Sequence, residues 1–209
     1  MDGRGADARP TGGADMTNNS GIPAWAPDQP VSGWLRLTAR GVWLIRDAPV
    51  EHPALRAHLN RHYFRDAEGR YCVQNGAQVV FVRLDYTPYV IHLAADGDLV
   101  AHTGQPVGEV RAACLDEQGT LTLLTTLGAG RVDETALDQL AERVRDADGQ
   151  LVDDVALTAL MQGGEAAPVL FLHLPGGRVP LEYCPSEALP ARAGFVRDPG
   201  QAYADKDRS

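Results

Sequence analysis

From Ser32 onward the apolar positions fall into short alternating runs separated by turn dipeptides, interrupted by three stretches with helical spacing. WLRLT and VWLIR flank Ala39-Arg40-Gly41 and predict a hairpin. RYCVQ and QVVFVRL flank Asn75-Gly76, a strong two-residue turn signal. YVIHL and DLVAH pair in the same way around Asp96-Gly97, and VRAACL and GTLTLL around Gln118-Gly119. A further hairpin joins VLFLHL to the strand after Pro175-Gly176-Gly177-Arg178. The helical stretches are PVEHPALRAHLNRHYF, with Leu55, Leu59, His62 and Tyr63 on one face, and DETALDQLAERV, with Leu137, Leu140 and Val144 on one face. The third is the short VDDVALTALM.

These elements recur in order. RDAEGRY (65–71) follows the first helix and RDADGQL (145–151) follows the second, and Gly41 and Gly119 open comparable strands. The pattern predicts an α+β fold of two related units, an internal repeat in which each unit is a helix packed on mostly antiparallel β-hairpins. Residues 32–118 form the first unit and 119–190 the second, with VDDVALTALM inserted in the second. Residues 1–31 read as a disordered tail and Pro-rich lead-in, and 191–209 as a C-terminal tail. Met16 is a second candidate start.

Side-chain alternation assigns faces. A loop at Asp85–Pro88 would join 79–84 to 89–93 as a hairpin, with Val80, Val82, Leu84, Tyr89, Ile91 and Leu93 on its core face. Its other face carries Val79, Phe81, Arg83, Val90 and His92. The hairpin after Val169 repeats the arrangement with Phe171, His173, Pro180 and Glu182, which makes Arg83 and His173 counterparts. A half-solvated antiparallel sheet gives such alternation by itself. The alternative is that both mixed faces line a groove between the units. Arg83 and His173 beside Phe81 and Phe171 would then hold a small carboxylate or aromatic ligand. Gln74, Gln78, His102 and Thr103, at strand and turn ends, complete the candidate binding set.

Composition narrows the classes. The 209 residues are 44% hydrophobic and 22% charged, and no apolar run approaches the ~20 residues of a membrane helix. Net charge is −9; residues 1–100 carry −1 and 101–209 carry −8, with Lys206 the only lysine. Without a basic stripe, neither nucleic acid nor an anionic membrane is an expected partner. No signal-like h-region opens the chain, and Cys72, Cys114 and Cys184 form no CxxC pair, so a cytoplasmic location is expected. His58 and His62 have i,i+4 spacing but lack the HExxH glutamate, Gly128 and Gly130 lack a phosphate-loop frame, and GxSxG is missing. No metal, cofactor or catalytic set is expected. The least poor acid–base pair is His102 with Asp85, as in a hydrolase. A third reading is a scaffold or homodimer assembling through sheet edges.

The run from Gly41 to Leu93, with AHTG further on, resembles a set of uncharacterised proteobacterial proteins of about this length. The matching positions are Gly41, Trp43, Pro49, His52, Leu55, Gly69, Tyr71, Gln74, Asn75, Gly76, Gln78, Thr87, Pro88, His102, Thr103 and Gly104. Its start is also similar to a broader bacterial family of unknown function. That resemblance implies two repeated α+β units around a cleft and a role in signal transduction, with no established activity and no catalytic residues. A small-molecule-binding or regulatory module is the function expected.

Overall fold

The computed structural model describes residues 31–163 and 167–200. Of the tail and lead-in expected over 1–31 only Val31 is described, and residues 201–209 of the tail expected over 191–209 lie outside the described residues. The protein is a mixed α+β molecule with two large sheets and few helices.

The first sheet is built by β1 (Val31–Leu37), β2 (Trp43–Ile45), β3 (Ala48–Pro49), β4 (Tyr63–Arg65), β5 (Tyr71–Asn75) and β6 (Gln78–Leu84), in the order β3-β2-β1-β6-β5-β4. The predicted β1–β2 and β5–β6 hairpins form, and the sheet closes through a parallel pairing of β1 with β6. Gly41 and Gly76 hold left-handed φ values of 79° and 61°, which the two turns require. Helix α1 (Pro53–Arg61) lies between β3 and β4 and starts on Pro53, where a missing N–H costs nothing. It is shorter than the apolar spacing suggests. His62 caps it, and Tyr63 leaves for β4, where it pairs with Val73 and sinks its ring into the core.

The second sheet contains β7 (Tyr89–Leu93), β8 (Leu99–Ala101), β9 (Val110–Leu115), β10 (Leu121–Thr125), β11 (Ala129–Val132), β12 (Val144–Asp146), β13 (Leu170–Leu174) and β14 (Gly177–Tyr183). Its order is β12-β13-β14-β9-β10-β11-β7-β8, with parallel pairings β14–β9 and β11–β7. Helix α2 (Glu134–Ala141) is capped by the Asp133 carboxylate, which accepts from the Thr135 amide. Helix α3 (Asp154–Gln162) is capped by Asp153 and stops at Gly163, φ 66°. Leu140 and Leu160 carry these helices onto Leu123, Leu170, Leu172 and Leu181 in one core.

One predicted hairpin does not form. β6 and β7 belong to different sheets, so Asp85–Pro88 is a crossing segment. Three contacts hold it there: the Asp85 amide donates to Leu37 O, Tyr63 Oη donates to Pro88 O, and Thr87 Oγ1 accepts from the Arg131 amide. The pairing of Arg83 with His173 as counterparts fails with that hairpin, because it matched β6 to β13, whereas β13 is the first arm of its own hairpin. Beyond β14, α4 (Leu189–Ala193) turns back onto the first sheet, in a region the sequence suggested was mostly tail. Leu189 and Phe195 are buried with Leu84 and Tyr71, and Leu84 N–H donates to Arg197 O.

Gly130 on β11 is where the second sheet tolerates no side chain. A Cβ there would stand 2.5 Å from both Cδ1 and Cγ1 of Ile91, itself 1% exposed. Gly130→Ala is expected to cost about 1–3 kcal/mol in urea unfolding. Trimming the obstacle with Ile91→Val in the double variant should return part of that loss; a double variant at least as unstable as the sum of the single changes would contradict this packing.

Candidate functional site

The groove set is dispersed. Gln78 shares the inward face of β6 with Val80, Val82 and Leu84, whereas Arg83 points to the other face and is exposed, 3.9 Å from Asp198. Alternation along one strand therefore keeps Gln78 and Arg83 from a common ligand. Phe81 is 3% exposed beneath the Arg70 guanidinium, 4.7 Å from its ring centroid. Gln74 donates to Gly76 O and serves the β5–β6 turn. Thr103 donates to Gln105 Oε1 in another turn. His173 is exposed on β13, in the other sheet from Arg83. Asn75 and Gln78 face one another across the hairpin, both buried, and Asn75 Oδ1 and Gln78 Nε2 have no partner.

His102 and Asp85 do not hydrogen-bond. Asp85 gives both oxygens to Arg36, at 2.6 and 3.0 Å, while His102 Nδ1 accepts from the Val90 amide at 3.3 Å. The edge strands β3, β4, β8 and β12 are two or three residues long, little ladder for edge-to-edge assembly. Among the described residues no cluster of three or more His, Cys, Asp or Glu is arranged to hold a metal, and no helix is long and apolar enough to cross a membrane.

His102 instead belongs to a junction between the sheets. Trp43, Tyr63 and Tyr89 surround its ring with centroids 6.0, 6.1 and 6.0 Å away. Tyr63 meets Trp43 edge-on at 5.2 Å, and Tyr89 meets Tyr71 edge-on at 5.6 Å, the geometry aromatic quadrupoles favour. Asn60 links the two sides, accepting from Trp43 Nε1 at 2.7 Å and donating to His102 O at 3.2 Å. His102 N–H also donates to Val90 O, so these two residues are bonded in both directions. Because Nδ1 accepts, the ring proton sits on Nε2, which is sealed from solvent and has no partner among the described residues. Burial drives the His102 pKa down to about 4, with His92 adding repulsion, and burial pushes Tyr89 up to about 12.

A pocket opens elsewhere, at one end of the second sheet, with a volume of about 670 Å3. Three segments line it: residues 97–99 of the β7–β8 turn, 106–111 leading into β9, and 174–180 of the β13–β14 turn. Leu99, Val107, Leu174 and Val179 are its apolar part, and Asp98, Glu109, Arg111 and Arg178 its charged part. The middle segment is pinned. Val107 N–H donates to Leu99 O, Leu127 N–H to Val107 O, and Glu109 bonds Thr126 through both its amide and its carbonyl. Sequence reasoning missed this site because its walls are turns far apart in the chain; the only local signal was the clustering of Gly and Pro at 104–108 and 175–177.

The model of the family DUF2944, described as "Protein of unknown function (DUF2946)", matches residues 15–200, and the chain belongs to that family. A crystal structure of a DUF1285 family protein from Silicibacter pomeroyi DSS-3 is similar at 18% identity and a TM-score of 0.50. The match covers 73% of this chain and 81% of that one, a likeness of fold. A DUF1285 family protein from Shewanella baltica OS155 aligns at 15% identity and a TM-score of 0.36, over 50% of this chain and 87% of that one. No curated protein matches.

The junction makes stability depend on pH. The unfolded chain takes up a proton at His102 near pH 6.5, whereas the folded chain resists until about pH 4. Stability is therefore full above pH 6.5 and falls as the pH drops towards 4, by up to about 3 kcal/mol from this group. Urea unfolding at pH 7.5, 5.5 and 4.5 should show that decline, and His102→Phe should flatten it. An equally steep decline in His102→Phe would contradict the assignment.

Proposed function

We propose that this member of the family is a cytoplasmic, non-enzymatic module that binds a small molecule in a regulatory role, and that it is built from two related units. Matching connections support the relationship. Each sheet contains a parallel pair, β1–β6 or β9–β14, with two further strands on either side before β7 and β8 extend the second, and each chain path has a helix after its third strand and a hairpin before its close. The turns after β4 and β12 agree in detail. Asp66 Oδ1 accepts from the amides of Glu68 and Arg70, and Asp146 Oδ1 from those of Asp148 and Gln150. Gly69 and Gly149 then share φ 81°. On this reading α3 is an insertion between β12 and β13, and the repeat extends over β1–β6 and β9–β14 with the β7–β8 hairpin between them.

The observation that carries the binding role is the pocket of about 670 Å3, within the size range of small-molecule sites and walled by hydrogen-bonded turns. It replaces the groove between the units as the ligand's place, because Gln78 and Arg83 lie on opposite faces of β6. A carboxylate-bearing ligand remains the expected class, with Arg111 in the role first given to Arg83. A regulatory role is favoured because the pocket lining, among the described residues, holds charged groups that bind and no histidine, cysteine or serine. A ligand there biases one stable body without having to assemble it.

A metabolite screen by thermal shift tests the site. A true ligand at a hundred times its Kd adds about 2.7 kcal/mol. Gly176→Tyr should abolish the shift while leaving the unliganded stability within about 0.5 kcal/mol. The pocket wall has room there: the Gly176 backbone is not left-handed, and an added Cβ meets nothing within 4 Å. Hits that persist unchanged in Gly176→Tyr would remove the pocket from the account.

A further inference from the structure

The charged groups at this pocket differ from most of the molecule's other charges in being uncommitted. Arg36 is held by Asp85 and Asp47, Arg70 by Asp66 and Glu68, and Arg192 by Glu182. At the pocket wall Arg178 lies over the Phe171 ring, 4.4 Å from its centroid. Arg111, Glu109 and Asp98, by contrast, make no side-chain hydrogen bond or ion pair among the described residues, although all three are exposed at one cavity. Glu109 and Arg111 do not pair with each other, and the backbone that carries Glu109 is held. Thr126 grips Glu109 on both sides, and Gly108 is packed so tightly that a Cβ would collide with Thr126 Oγ1. Arg111 stands on β9. The pocket thus presents two cations, Arg111 and Arg178, two anions, Glu109 and Asp98, and an apolar wall of Leu99, Val107 and Val179.

We infer that the ligand is a zwitterion with an apolar body, of the free amino acid or dipeptide class. Arg111 takes its carboxylate, and Glu109 with Asp98 takes its ammonium. The inference rests on the reading of this pocket as the ligand site. The chemistry selects against the alternatives. A simple dianion would meet the two carboxylates, and a simple amine would meet Arg111 and Arg178. A guanidinium fork binds a carboxylate by paired hydrogen bonds, and two carboxylates supply the acceptors an ammonium group needs.

The experiment is calorimetric titration of the full chain with L-leucine and with the Leu-Leu dipeptide, each compared with its C-terminal amide and its N-acetyl form. At least one zwitterion should bind, and losing either charge should weaken it tenfold or more. Arg111→Gln should weaken the zwitterion but no longer distinguish it from the amide. Glu109→Gln should likewise lose discrimination against the N-acetyl form. Affinities unchanged in both variants would overturn the assignment. If neither zwitterion binds while another metabolite does, and that binding is lost in Gly176→Tyr, the ligand class is wrong and the pocket stands. If no metabolite gives binding sensitive to Gly176→Tyr, the inference and the function it rests on both fall.

Discussion

The hydrogen bond from the Val90 amide to His102 Nδ1 exists only while the imidazole is neutral, and the meeting of the two sheets is organised around it. Trp43 from β2, Asn60 from α1 and Tyr63 beginning β4 come from the first sheet's side; Tyr89 and His102 come from the β7–β8 hairpin. Gly41 lets the β1–β2 turn approach, since any Cβ there would press on Val90 and His102 at 3.3–3.4 Å. A charged imidazole would lose its acceptor nitrogen and sit among aromatic rings with no counter-ion, a burial that costs several kcal/mol. Neutrality at this residue is thus the condition on which the rest of the packing stands.

That view changes the meaning of the sequence pattern around it. Gly41, Trp43, Tyr71, Thr87, Pro88 and His102 all belong to the family-like run, and they meet at or beside the junction. The pattern describes how the two sheets are joined. The pocket takes its charged residues from stretches that the pattern does not include.

Much of the local structure was legible. Asn75-Gly76, Asp96-Gly97 and Gln118-Gly119 marked three hairpins that form, and Leu59 and Leu140 marked the buried faces of α1 and α2. What local pattern could not carry was pairing at a distance. The parallel contacts β1–β6, β9–β14 and β7–β11 have no turn between partners, and the same alternation in β6 and β7 suits a hairpin or two sheets equally well. The candidate site suffered for that reason. Phe81 and Arg83 do share a face, as alternation says, but the hairpin expected to continue that face into Val90 and His92 does not form, because β7 lies in the other sheet. His102 was picked out as polar, whereas its neighbours make it part of the core.

The claim that a neutral imidazole joins the sheets is tested most directly by the ring nitrogen chemical shifts of His102 in the 15N-labelled protein, followed from pH 7.5 to 4.5. The account predicts a proton on Nε2, an unprotonated Nδ1 in a hydrogen bond, and no titration until the pH nears 4. A ring that titrates near pH 6.5 in the folded protein, or that carries its proton on Nδ1, would contradict it.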